Sequence, residues 1–70
     1  MKKTTKKTSR KPRAKLIGAD SNIFNLMAIA SRALKEAGRA DEATEMSNRV
    51  FNASSFDEAL GIITEYVDAY

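Results

Sequence analysis

Apolar positions recur at steps of three and four in three successive stretches of the chain, the period of one face of an α-helix. The first stretch carries Ile23, Leu26, Met27, Ala30, Ala33, Leu34 and Ala37. Asp20 or Ser21 is placed to cap its start, and Gly38 to stop it at the C′ position. Phe24 and Ile29 flank the stripe and widen the apolar sector to roughly 200°, against roughly 100° for an ordinary surface helix. A helix with so broad a face is expected at the centre of the fold, packed on both sides or used for contact. The second stretch places Ala40, Ala43, Met46, Val50 and Phe51 on one face, with Ser47 among them. Asp41, Glu42 and Glu45 load its first turns with the charge that a helix N-terminus favours, and Glu45–Arg49 is an i,i+4 pair in the better order. The third opens on the S-x-x-E capping box of Ser55 and Glu58. Phe56, Ala59, Leu60, Ile63, Tyr66, Val67 and Tyr70 follow, opposite a face of Asp57, Glu58, Gly61, Thr64, Glu65 and Asp68 that holds no cation. The pattern predicts an all-α, compact three-helix domain with helices at about 21–37, 40–52 and 55–69.

Residues 1–15 break this pattern. They read MKKTTKKTSRKPRAK, with Met1, Pro12 and Ala14 as the only non-polar entries. Nothing there offsets the entropy of ordering, so a disordered basic N-terminal arm is expected over 1–15, with the domain at 16–70. Leu16 and Ile17 are expected to pack against the first helix or the end of the third, closing the core where the arm leaves it. No partner strand is evident for them, so no sheet is expected.

Charge sharpens the division. The chain of 70 residues holds 12 Lys and Arg against 9 Asp and Glu, net +3. Eight of the cations, Lys2, Lys3, Lys6, Lys7, Arg10, Lys11, Arg13 and Lys15, lie in the arm, which has no acid. The remaining 55 residues are therefore acidic. There is no apolar run of secretory or membrane-spanning length, so a soluble cytoplasmic protein without membrane contact is expected.

The same composition argues against chemistry. The chain has no Cys and no His, which removes disulfides, thiolate metal sites and the usual general base. Asp57, Glu58, Glu65 and Asp68 crowd one face, but a charge run of this kind is ordinarily a solvated surface. Gly18, Gly38 and Gly61 are each isolated, so no phosphate-cradling loop exists. No enzyme activity, catalytic residue, metal, cofactor or small-molecule substrate is expected.

The basic arm is the strongest functional signal. Its eight cations can meet phosphates and release counterions without reading sequence. No aromatic residue lies near Pro12–Arg13 in the chain, so base stacking is not indicated. A loose return of the arm onto the acidic domain is a competing use of the same charge. The helices are poor groove readers, because the second begins with Asp41, Glu42 and Glu45 and the third with Asp57 and Glu58. Nucleic-acid contact through the arm is the leading expectation. The alternative is a protein-interaction module, contacting a partner or a second copy through Phe24, Ile29, Leu16 and Ile17.

Two resemblances complete the reading. ALKEAGRADEA is similar to the turn between paired helices of a tetratricopeptide repeat, but covers about a dozen of the roughly 34 residues such a repeat needs. KLIGADSNIFNLMAIASRALKEAG, continued by ADEATEMSNRVFNASSFDEALGIITEYV, resembles a group of small uncharacterised bacterial proteins of Gram-positive conjugative or phage-derived mobile elements. KLIG, D-x-N-I-F-N-L-M and S-x-x-D-E-A-L carry that likeness over about residues 15–67. It implies a bacterial cytoplasmic accessory protein acting on DNA or host machinery, and transfers no activity or site residue. Asn22 and Asn25 in this motif are expected to bond the entry loop at 16–19.

Overall fold

The computed structural model describes residues 11–70. Their order is β1 (Arg13–Ala14), α1 (Ile23–Glu36), α2 (Ala40–Phe51), α3 (Phe56–Tyr66) and β2 (Asp68–Ala69). The three predicted helices are present, and α1 touches α2, α3 and β1, as its broad apolar sector requires. Leu34, Met46, Ile63 and Val67 fill the centre, each essentially without exposure. Leu26, Ala30, Ala43, Val50 and Ala59 extend the core along the predicted stripes. No charged or polar residue is buried among the described residues.

The helix ends show how local chemistry sets these boundaries. The cap of α1 is Asn22 rather than Asp20 or Ser21, its side chain accepting from the Phe24 amide at 2.9 Å. Asp20 instead accepts from the Asn22 amide, and the Asn25 side chain donates to the Asp20 carbonyl at 3.0 Å. Neither asparagine side chain bonds residues 16–19 as expected: Asn22 caps its own helix, and Asn25 reaches only as far back as Asp20. Gly38, at φ +78°, makes the predicted stop. The Arg39 amide donates to Leu34 and the Gly38 amide to Lys35, the two bonds of a Schellman motif. At α3, Ser55 accepts from the Glu58 amide, while Glu58 reaches back to the amide of Ser54.

Four expectations need correction: the length of the third helix, the absence of a sheet, the extent of the arm and the partner of Arg49. The third helix does not run to residue 69. Val67 is extended (φ −133°, ψ 154°) and still fully buried, so the last apolar position is filled from a strand. That strand has a partner. β1 and β2 pair in parallel, Arg13 beside Asp68 and Ala14 beside Ala69. The ladder continues with the Asp68 amide donating to Pro12, the Tyr70 amide to Ala14, and the Leu16 and Ile17 amides to Tyr70.

The ordered fold therefore begins before residue 16. Ala14 is 3% exposed and belongs to the core with Leu16. Residues 1–10 of the expected disordered arm lie outside the described residues, whereas 11–15 are part of the domain. The fourth correction concerns Arg49, which passes over Glu45 and crosses to α3. Its guanidinium makes two bonds to Glu65, at 2.7 and 3.2 Å, and one to the Tyr66 hydroxyl. A two-pronged bond to a carboxylate on another helix outweighs a single-pronged pair along one helix.

Candidate nucleic-acid interface

An extended chain sends alternate side chains to opposite faces. Along Lys11-Pro12-Arg13-Ala14-Lys15-Leu16 that alternation divides the residues by chemistry. Ala14 and Leu16 enter the core, while Lys11, Arg13 and Lys15 stand on the exposed face. Three of the eight predicted phosphate-binding cations thus form one row on the surface. Lys2, Lys3, Lys6, Lys7 and Arg10 lie outside the described residues.

The row does not stand alone. The parallel pairing brings Asp68 and Tyr70 from the far end of the sequence onto the same face. Lys11 Nζ donates to the Thr64 carbonyl at 2.8 Å and lies 3.7 Å from the Asp68 carboxylate. Arg13 lies over the Tyr70 ring, 4.3 Å from its centroid. The Tyr70 ring is half-exposed, and Ile17 beyond Lys15 is 75% exposed. A shallow depression of about 280 Å³ lies between Lys15, Ile17, Gly18 and Ala19. The aromatic partner that the sequence around Pro12–Arg13 lacked is supplied through β2.

The candidate protein-contact residues separate. Leu16 is a core residue and Ile29 packs partly buried against the core. Phe24 and Ile17 are exposed, in different places. Phe24 meets Phe51 at 5.7 Å between ring centroids, beside a depression of about 270 Å³ that Phe56 also lines. All three phenylalanines of the chain are about half-exposed there. The helical stripes had assigned Phe51 and Phe56 to the core. They sit at the end of α2 and the start of α3, where no further element crosses to cover them.

The acidic face of α3 draws its cations from elsewhere, Arg49 from α2 and Lys11 from the N-terminal strand. The guanidinium beside Glu65 holds that carboxyl below its ordinary range, and the hydrogen bonds to Glu65 and Tyr66 raise the Arg49 pKa. Among the described residues, no three acidic groups converge on a point that could hold a metal ion. No described helix is long and apolar enough to cross a membrane. Compared with known proteins, the chain matches no family model, no curated sequence and no solved structure.

Proposed function

We propose that this protein is a non-enzymatic nucleic-acid-binding protein that grips phosphates through its N-terminal basic tract. The observation that carries the reading is the row of Lys11, Arg13 and Lys15 on one exposed strand face, continuous in sequence with five further cations. A row anchored by the β1–β2 ladder presents its charges with less ordering cost than a free tail. Among the described residues, Arg13 and Lys15 form no ion pair with an acid, so their charge is open to a ligand. Phosphate contact of this kind gives affinity without sequence readout. The resemblance to mobile-element proteins is in keeping with a role on DNA.

The test is direct binding to labelled DNA across a salt series. Binding should weaken steeply as salt rises. Replacing Lys11, Arg13 and Lys15 together by Ala should flatten the log–log slope by about 2–3, roughly 0.9 for each lost phosphate contact. No binding by the intact protein at low salt defeats the reading.

A second reading rests on the phenylalanine face. Three half-exposed aromatic rings around one depression form the kind of surface that protein partners cover. Asp20, Asp57 and Glu58 lie close in sequence to this face, so the partner it suits is a cationic amphipathic helix. Phe24→Ser with Phe51→Ser should abolish capture of such a helix and leave DNA binding unchanged.

A further inference from the structure

We infer that Tyr70 and Arg13 form a stacking site for an unpaired nucleobase, so that the nucleic acid held by the basic row is single-stranded. This inference rests on the nucleic-acid reading above and names its substrate class. The ring is held by its backbone: the Tyr70 amide donates to Ala14, and the Tyr70 carbonyl accepts from Leu16 and Ile17 at 2.8 Å each. Those bonds bracket Lys15, placing it opposite Tyr70 on the ladder. The Arg13 guanidinium carbon lies over the ring, 4.3 Å from its centroid, and 44% of Tyr70 is still open. A guanidinium stacked on an aromatic ring is itself a platform for a base.

Phosphate-binding charge flanks this platform. Lys15 lies on one side, and Lys11 offsets Asp68. Next to Lys15, the exposed Ile17 side chain and its adjoining depression give a base an apolar wall. In a duplex the faces of the bases are hidden against one another, so neither surface has anything to stack on. Unpaired bases offer those faces irrespective of sequence. The row and the platform therefore work together only on a single strand.

The experiment compares the full chain with Tyr70→Leu and Tyr70→Phe. Each is titrated into a fluorescent single strand of about twelve thymidines and into a duplex of equal length, a span within the range one small domain covers. Circular dichroism checks the fold, which the backbone bonds of residue 70 preserve in both variants. The full chain should bind the single strand several-fold more tightly than the duplex. Tyr70→Leu should lower single-strand affinity about tenfold, the loss of one stacked base, and leave duplex affinity within about twofold. Tyr70→Phe should behave as the full chain. Duplex binding with no single-strand preference, or with no loss in Tyr70→Leu, overturns the stacking site and leaves the basic row standing. Absence of binding to both ligands by the full chain overturns the nucleic-acid reading itself.

Discussion

Two glycines illustrate what a single residue decides in a domain this small. Gly38 occupies positive φ at the end of α1, where a side chain is strained whatever space surrounds it. Gly61 lies inside α3, and beyond its chain neighbours and the local helix backbone no atom comes within 4 Å of where a Cβ would stand. The same substitution should therefore have opposite effects. Gly38→Ala should lower stability by about 1–2 kcal/mol, the cost of left-handed backbone. Gly61→Ala should raise it by about 0.5–1 kcal/mol through helix propensity. Chemical denaturation of both variants measures the pair.

Glu65 gives a residue-level prediction in pH. Its folded pKa lies below that of the unfolded chain, chiefly through the Arg49 hydrogen bonds. Its contribution is thus complete above the ordinary glutamate pKa and is lost as pH falls through the lowered folded value. A carboxyl titration followed by NMR should place Glu65 below the ordinary glutamate value, and Arg49→Gln should return it upward. The pair is half-exposed, so added salt should shrink the difference.

At the scale of elements, the helices were legible because each announces itself locally. Period, cap and stop all fall within a dozen residues of one another, as Ser55 and Glu58 or Leu34 and Gly38 show. The strand pair was not legible for the opposite reason. β1 and β2 are two residues each, too short for any alternation to register as a pattern, and their pairing depends on contacts between opposite ends of the sequence. Charge density concealed the rest. Eight cations in fifteen residues signal an unfolded tail, and the inward positions Ala14 and Leu16 are hidden among them.

The exposure of Phe51 and Phe56 was lost similarly, because periodicity identifies a face but not whether the face is covered at its ends. Removal of residues 1–15 is therefore expected to damage the domain, since residues 11–15 belong to it. Removal of residues 1–10 should keep the helical signal and the melting temperature near those of the full chain. Removal of 1–15 should lower the melting temperature sharply, since Ala14 and the ladder beside Val67 go with it. Thermal denaturation followed by circular dichroism distinguishes the two cuts.

Over the whole molecule, an apparent excess of three positive charges resolves into two territories that meet at one seam. The cationic N-terminal row lies against the end of the acidic helix α3, and the Lys11 contacts with Thr64 and Asp68 mark the join. Charge alone offers a loose return of the arm onto the domain only as one competing reading. The join is more specific, made by backbone pairing and one side chain, and leaves Arg13 and Lys15 facing outward. The phenylalanine face is lined by different residues, so the two proposed contacts would not compete for one surface.

The parallel clasp also bears on how the chain reaches its fold. Lys11 and Thr64 are 53 positions apart, whereas the helices pair with their sequence neighbours. Loop closure on that scale is paid before any contact rewards it, so the α1–α2 and α2–α3 hairpins should form first and the clasp last. Ala14→Gly should accordingly hasten unfolding and leave the refolding rate nearly unchanged, which stopped-flow measurements can read. A ligand lying across Arg13 and Tyr70 would then act as a latch on the final step of folding, slowing the escape of the native state far more than it speeds its arrival.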